Sequence, residues 1–235
     1  MNTPQIIYNF LDKAQNINNK HRSISSFFVE AFNLNNISDH EINKLRIHLS
    51  NHVYKLSDVI EIDQPELDHS WANDVIKILN FPLSENIDLF TLDVNSLFPH
   101  VKNFIGSQIR LWNIIHGNQK NLDKDQMISI KQKSEALIEE FIVNNDLAPN
   151  VRAFLIKQLR KIIEAIDHYQ IYGNEGLIEI LDESIGHAFT NKNYEDFLKD
   201  AQSTIWKEYL LIISTVVTTS DSFVSLTNNI KNFLP

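Results

Sequence analysis

Three acid–histidine pairs have the spacing of metal ligands on a helix. The pairs are Glu66 with His69, Glu164 with His168, and Glu183 with His187. Side chains three or four positions apart share one side of an α-helix, and a Glu-x-x-His pattern holds iron in bundles that have two such pairs and two further glutamates. The second and third pairs lie opposite the apolar sides of their predicted helices. We therefore expect solvated pairs, and we predict no bound metal and no other cofactor.

A second pattern with catalytic potential runs from Arg110 to Asn118. Its sequence is Arg110-Leu111-Trp112-Asn113-Ile114-Ile115-His116-Gly117-Asn118. It resembles the Arg-x(4–6)-His motif of HEPN ribonucleases, which are small helical domains of bacterial toxins and defence systems. The resemblance implies that Arg110 stabilises charge on an RNA phosphate and that His116 is the general acid or base. It also implies a site that forms across a dimer.

The same segment has a structural interpretation, which the sequence leaves open. Leu111 stands where a polar residue often follows the arginine in HEPN proteins, and Arg46 and His52 repeat the spacing of Arg110 and His116. On an ideal helix, residues six apart point about 120° away from each other. In this interpretation His116 is a histidine at the end of a helix, and His52 is a histidine at the edge of the core.

The elements that would position these residues are helices. Apolar residues recur every three or four positions along most of the chain, and strand patterns are scarce. We predict an all-α fold, a multi-helix bundle of about eight to ten helices. Ser38 with Glu41 and Asp123 with Gln126 form capping boxes, which mark two helix starts.

Less regular parts of the sequence give weaker expectations about helix boundaries. We expect a helix to start at Asp63 and Pro65, the stretch from Ser84 to Ser96 to be irregular, and a last short helix to start at Ser220. We expect one helix to run from Asn191 or Asn193 into the apolar stretch that follows.

The segment 147–186 predicts two helices that meet at a bend. Pro149 fits the first turn of one helix, Gly173 fits the left-handed position after its end, and Asn174 is expected to cap the next helix. The segment resembles one in uncharacterised bacterial all-helical proteins, where a long helix ends in a similar bend and an apolar C-terminal helix follows. That resemblance implies no activity and no site residue.

Composition excludes several classes of site. The chain has 235 residues, of which 43% are hydrophobic, with five glycines and no cysteine. The absence of cysteine excludes a disulfide framework, a thiolate nucleophile and cysteine-containing zinc sites, and it fits a cytoplasmic location. No Walker loop, nucleophile elbow or dinucleotide fingerprint occurs. One large domain or two small ones are expected at this length.

The net charge of −9 indicates the kind of partner. An acidic chain disfavours a nucleic-acid surface, so we expect no DNA partner, and RNA only if the HEPN resemblance holds. It suits a protein partner with a basic surface, or self-association. The longest apolar stretch, 209–217, is about half of the roughly 20 residues that a membrane span needs, so we expect no membrane span.

Two further expectations concern the organisation of the chain. We predict a single helical domain over 1–235, with a sub-boundary near 144–149 that would separate 1–145 from 146–235. The stretch 206–217 is apolar nearly all round a helix, which predicts either a buried central helix or an interface.

Three functions are compatible with these observations. The first is a non-enzymatic helical protein-interaction protein of the bacterial cytoplasm, in an immunity, antitoxin or defence-associated role. The second is a HEPN-like ribonuclease, a toxin or defence effector, that uses Arg110 and His116. The third is a membrane-perturbing effector that uses the helix at 206–217. We favour the first because no other catalytic motif is present.

Overall fold

The described chain forms helices where apolar residues recur at helical spacing in the sequence. The computed structural model describes residues 1–17, 23–34, 37–97, 100–115 and 120–217. Within these ranges the chain forms eleven α-helices and one 3-10 turn, and no β-strand. The predicted all-α class is confirmed, and the count of helices is one above the predicted range.

The N-terminal unit, residues 2–117, contains six of these helices. They are α1 (Thr3–Gln15), α2 (Ile24–Ala31), α3 (Asp39–Asp63), α4 (Ser70–Leu79), α5 (Ile87–Leu97) and α6 (His100–Ile115). Helix α1 packs against both α3 and α6. A cluster of aromatic rings lies between α1, α2 and α5. The ring centroids of Phe28 and Phe10 are 6.0 Å apart, and those of Phe27 and Phe90 are 5.6 Å apart.

The predicted start of α3 is confirmed, but the next helix starts later than predicted. Ser38 Oγ accepts a hydrogen bond from the Glu41 N–H at 3.3 Å, and Glu41 Oε2 accepts one from the Ser38 N–H at 2.8 Å. Helix α3 continues to Asp63, so the prediction that a new helix starts at Asp63 and Pro65 is wrong. Helix α4 starts only at Ser70, because Asp68 Oδ1 accepts the Ser70 N–H at 2.9 Å and holds the chain in a turn before it.

Helix α5 corrects the expectation that 84–96 is irregular. Its buried residues are Ile87, Phe90 and Val94, which are spaced three and four apart. Asn86 Oδ1 accepts the Asp88 N–H at 2.9 Å in the first turn. Three buried side chains at helical spacing are enough to hold this short helix against the aromatic cluster.

The C-terminal unit consists of Met1 and residues 118–235. Its described helices are α7 (Lys124–Val143), α8 (Pro149–Asp167), α9 (Tyr169–Thr190), α10 (Lys192–Lys199) and α11 (Thr204–Val217). The capping box of Asp123 with Gln126 is confirmed, and Pro149 occupies the first turn of α8 as predicted. The turn at 144–149 joins α7 and α8, which pack against each other inside this unit. The single-domain organisation stays a prediction.

The bend that the sequence predicted lies inside α9. Helix α8 ends at Asp167, and α9 begins two residues later. Gly173 has φ 59° and ψ −159°, which interrupts the helical backbone and is a conformation that glycine adopts far more easily than other residues. The positive φ predicted for Gly173 is confirmed, but its predicted place just after the helix that starts at Pro149 is wrong, because that helix ends at Asp167. Asn174 does not cap a helix, because its side chain makes other hydrogen bonds.

The predicted helix from Asn191 into the apolar stretch is divided. Asn191 Oδ1 accepts the Tyr194 N–H at 3.1 Å and caps α10. A 3-10 turn, Ala201–Ser203, then separates α10 from α11, and Asp200 Oδ1 accepts the Gln202 N–H at 2.8 Å in that turn. The short helix predicted from Ser220 lies outside the described residues.

Candidate functional site

Helix α6 presents Arg110 to solvent. The helix buries Val101, Ile105 and Trp112, while Arg110 is exposed on its other side. The guanidinium of Arg110 makes no hydrogen bond or ion pair with another described residue. His116 lies outside the described residues, so the pairing of Arg110 with His116 stays a prediction.

The second arginine at this spacing, Arg46, is part of the core. It is buried, and its guanidinium donates to the backbone oxygens of Leu79 and Phe81, the latter at 2.6 Å, and to Asn43 Oδ1 at 3.0 Å. Burial lowers its pKa. The carbonyls at the end of a helix have no donors within the helix, so Arg46 caps the C-terminal end of α4.

His52 also has a structural role. It is buried, and its Nδ1 lies 3.3 Å from Thr3 Oγ1 at the start of α1. This is the position that the core-edge interpretation predicted. The spacing of Arg46 and His52 therefore reflects packing, and the same spacing at Arg110 does not identify a catalytic pair by itself.

The C-terminal ends of α3 and α6 form a small groove. Six apolar residues line it: Leu56, Val59, Ile60, Leu111, Trp112 and Ile115. Asp63, Gln64 and Gln108 contribute polar side chains, and Gln64 Nε2 donates to Gln108 Oε1 at 3.5 Å. The cavity within the groove measures about 10 Å³, which is room for a single water molecule. A substrate does not fit inside it, so the groove acts as a surface.

Exposed isoleucines border the groove on both helices. Ile62 on α3 is 79% exposed, and Ile114 and Ile115 on α6 are 78% and 52% exposed. Residues three apart are neighbours on a helix, so Ile62 lies beside Val59 of the groove and Ile114 lies beside Leu111. Exposed apolar side chains grouped beside a groove are a common feature of protein interaction sites. We call Ile62, Ile114 and Ile115 the apolar rim.

Carboxylates accompany the apolar rim on the α3 side. Asp58, Glu61, Asp63 and Glu66 are all exposed. Residues 56–76 include six acidic residues and neither lysine nor arginine. This stretch therefore carries −6 of the chain's net −9. The end of α3 and the turn after it therefore form an acidic region of the N-terminal unit.

In one of the three acid–histidine pairs, Glu183 with His187, each side chain contacts residues of α8. Glu183 forms ion pairs with Lys161 and, at 3.5 Å, with Lys157. The His187 ring stacks on Phe154 with ring centroids 3.8 Å apart. Burial lowers the pKa of His187, an effect that Glu183 opposes and Lys157 adds to. The pair thus contributes to packing between α8 and α9.

The other two acid–histidine pairs lie in different surroundings. Glu164 Oε1 accepts a hydrogen bond from Tyr172 Oη at 2.9 Å. Glu66 is exposed in the turn before α4, whereas His69 is half-buried at the start of that helix. Within the described ranges, no group of three or more histidine, aspartate or glutamate side chains is arranged to hold a metal ion.

A buried asparagine joins distant parts of the C-terminal unit at the bend. Asn174 Oδ1 accepts hydrogen bonds from the Met1 amino group at 2.9 Å and from Tyr169 Oη. Its Nδ2 donates to the backbone oxygens of Lys120 at 3.0 Å and of Val217 at 3.1 Å. These four bonds use the full capacity of the amide. Asn174 is therefore a structural centre and leaves nothing free for a ligand.

Burial changes the ionisation of the groups around Asn174. Burial lowers the pKa of the Met1 amino group to about 5, although the charge of Glu175 opposes this. It raises the pKa of Tyr169 to about 12, although the Leu122 N–H, which donates to Tyr169 Oη at 3.0 Å, opposes this. Tyr169 is therefore protonated at neutral pH and remains a donor to Asn174.

Helix α11 contributes to the core of the C-terminal unit. Its buried apolar residues are Trp206, Tyr209, Leu210, Ile213 and Val217. Trp206 Nε1 donates to Tyr194 Oη at 2.8 Å, and Tyr209 Oη donates to the Ile130 backbone oxygen at 3.1 Å. In the part of the chain that is described, no helix combines the length and the apolar content that crossing a bilayer requires. The membrane-perturbing function stays a prediction.

The groove and its apolar rim were missed in the sequence. Two signals were available: the stretch 56–76 lacks basic residues, and Ile62 falls outside the seam of α3 that holds Leu49, Val53, Leu56 and Ile60. An isoleucine on the polar side of a helix, surrounded by acids, predicts a surface contact. The sequence does not show that α6 is the helix that lies beside the end of α3 and forms the other side of the groove.

Comparison of the chain with protein-family models, curated proteins and solved structures finds no match.

Proposed function

We propose that this protein is a non-enzymatic helical protein-interaction protein whose partner presents a basic surface. The observation that carries the proposal is the apolar rim of Ile62, Ile114 and Ile115 beside four exposed carboxylates, three on α3 and Glu66 in the turn that follows it. Protein interfaces combine an apolar centre with a polar periphery. Acidic groups at such a periphery increase the rate at which a basic partner associates.

The setting that we propose is the bacterial cytoplasm, in an immunity, antitoxin or defence-associated role. A nuclease that binds nucleic acid has a basic surface, and an acidic protein with net charge −9 is attracted to such a surface over a distance of about 10 Å at moderate salt. This step rests on analogy between charge patterns.

The test is recovery of a partner from the native host, followed by reconstitution. The full chain is expressed with an affinity tag, co-purifying proteins are identified, and the purified partner is titrated against the purified chain. We expect a basic partner whose affinity falls as salt increases. A chain that recovers no protein at low salt, or a partner that binds equally well at all salt concentrations, contradicts the proposal.

The second candidate function is a HEPN-like ribonuclease. The observation that favours it is the exposure of Arg110, since the only other arginine at this spacing, Arg46, is a buried helix cap. The carboxylates of α3 act against this candidate, because they repel the phosphates of RNA.

This candidate is tested by RNA cleavage and by toxicity on expression. If the chain is a HEPN-like nuclease, Arg110→Ala and His116→Ala each lower cleavage by about 100-fold or more. Arg160→Ala, which removes another exposed arginine in α8, serves as the matched control and retains activity. Intact RNA with the purified wild-type protein removes this candidate.

A further inference from the structure

We propose that the groove between the ends of α3 and α6 binds an amphipathic basic helix of a partner protein. The inference rests on the proposed function and adds the surface and the chemistry of the partner. The groove lies between two helices, and its cavity of about 10 Å³ is shallow. A partner therefore lies across it, with an apolar face on the groove, which is the way amphipathic helices bind many of their receptors.

The apolar rim supplies the anchor for such a helix. Ile62 and Ile114 each leave more than three quarters of their surface in solvent, and they flank a groove that already contains Leu111 and Ile115. Covering these side chains removes apolar surface from water, which is the main favourable contribution to association. The rim thus fits a row of apolar side chains spaced three and four apart.

The carboxylates determine the charge of the partner. Asp58, Glu61, Asp63 and Glu66 are exposed at and just after the end of α3. Asp63 lines the groove, and Asp58 lies one helical turn before Ile62. This charge repels nucleic acid. It also opposes a second copy of the chain, because a two-fold interface places each surface against itself and brings carboxylates opposite carboxylates. A lysine- or arginine-rich helix has the complementary charge.

The probe is a fluorescein-labelled peptide of about 16 residues, a little over four helical turns. It contains only leucine, on one helical face, and lysine on the other. Anisotropy is measured with the full-length protein at about 0.1 M salt. We expect saturable binding to the wild type, and no binding of a peptide in which glutamate replaces every lysine.

The apolar arm of the test uses the double variant Ile62→Ser with Ile114→Ser. We expect its dissociation constant to rise by about tenfold or more, since two anchors are lost. Ile142→Ser is the matched control, because Ile142 is 53% exposed on α7, which belongs to the C-terminal unit and not to the N-terminal unit that contains the groove. All three positions are exposed, so circular dichroism and melting temperature should be unchanged, and each single variant provides an independent check of folding.

The charge arm replaces the four carboxylates with their amides, Asp58→Asn, Glu61→Gln, Asp63→Asn and Glu66→Gln. We expect weaker binding of the basic peptide and a smaller dependence on salt. If this variant is unstable, the Glu61→Gln and Glu66→Gln single variants are used, with a smaller change in the same direction.

Three outcomes overturn the inference. The peptide fails to bind the wild type, or it binds the Ile62→Ser, Ile114→Ser double variant as well as the wild type, or the wild type forms a dimer that this double variant abolishes. The third outcome identifies a second copy as the occupant. If a host partner binds the double variant undiminished, this inference fails and the proposed function stands; if the peptide binds as expected but no host partner exists, the proposed function fails alone.

Discussion

The side chain of Asn174 makes four hydrogen bonds with described residues of the C-terminal unit. Replacing it with alanine removes the Nδ2 donor to the carbonyls of Lys120 and Val217 and the acceptor to which the Tyr169 hydroxyl donates. We expect the free energy of unfolding to fall by about 3 kcal/mol, measured by urea unfolding. Asn145→Ala, at an exposed position in the turn after α7, should change it by less than about 0.5 kcal/mol. Equal effects of the two substitutions would contradict the structural role of Asn174.

Two glycines of α9 give opposite predictions for the same substitution. A Cβ at Gly176 would lie 2.8 Å from Tyr172 Cβ, whereas a Cβ at Gly186 would meet no atom within 4 Å. Gly176→Ala should lower the free energy of unfolding by about 1–3 kcal/mol, because the packing around Tyr172 must shift. Gly186→Ala should raise it by up to about 1 kcal/mol, because alanine loses less entropy in a helix.

Thermal unfolding of both glycine variants checks this contrast. A stabilised Gly176→Ala variant would show that Tyr172 moves without cost. A destabilised Gly186→Ala variant would show that the backbone there is not a regular helix.

What the sequence predicts for single residues depends on whether their partners are local. The backbone of Gly173 was predicted because it follows from the residue type. The partners of Asn174 were not, because Met1 and Val217 are distant in sequence and no pattern links them. Likewise, Arg46 and Arg110 look equivalent in the sequence, and only tertiary packing makes one a buried cap and leaves the other exposed.

Among the helices, α4 depends on a side chain from α3 for its C-terminal cap. Arg46→Met keeps most of the buried volume but removes the donors to the Leu79 and Phe81 oxygens. We expect the free energy of unfolding to fall by about 2 kcal/mol. Arg46→Lys should restore little of it, since an ammonium cannot reproduce the forked geometry of a guanidinium.

The control for this prediction is Arg160→Met, at an exposed position of α8. It should leave the melting temperature nearly unchanged. Full rescue by Arg46→Lys would mean that charge alone, rather than the paired N–H donors, supports the end of α4.

Helix starts were predicted more successfully than helix ends. The boxes at Ser38 and Asp123 were found because a capping box is complete within four residues. The start of α4 at Ser70 and the helix α5 were missed, because α4 begins after a short turn at Asp68 and α5 packs on the aromatic cluster after a short turn at Asn86. Apolar spacing gives the face of a helix but does not fix where it stops.

For the molecule as a whole, the Met1 amino group adds a dependence of stability on pH. Burial lowers its pKa from an ordinary value near 8 to about 5, so between these pH values the unfolded chain binds more protons than the folded protein. The free energy of unfolding should therefore rise from pH 5 to pH 8, with a contribution from this group on the order of 2–4 kcal/mol.

Urea unfolding over that pH range measures the effect. Protein acetylated at the Met1 amine has no amino group to titrate, so its stability should rise less steeply with pH than that of the unmodified protein. Identical slopes for the two forms would assign the rise to other groups, such as His187, whose pKa burial also lowers.

The all-α class followed from apolar spacing, and the acidic net charge followed from composition. The surface that we propose as functional depends on the helical fold and on the acidic charge, and also on which helices pack together. The acidic stretch 56–76 is visible in the sequence, but the apolar rim exists only because α3 and α6 both pack on α1 and end side by side. Spacing within one helix cannot show which other helix lies next to it.

The bonds of Asn174 also impose an order on the biosynthesis of the chain. Its amide needs the carbonyl of Val217, which is added 43 residues later. At a translation rate of about 5–20 residues per second, that delay is about 2–9 seconds. During this interval one donor of Asn174 has only water as a partner. A nascent chain arrested before Val217 should accordingly be cut by proteases near Gly173. The completed chain, once released from the ribosome, should resist cleavage there.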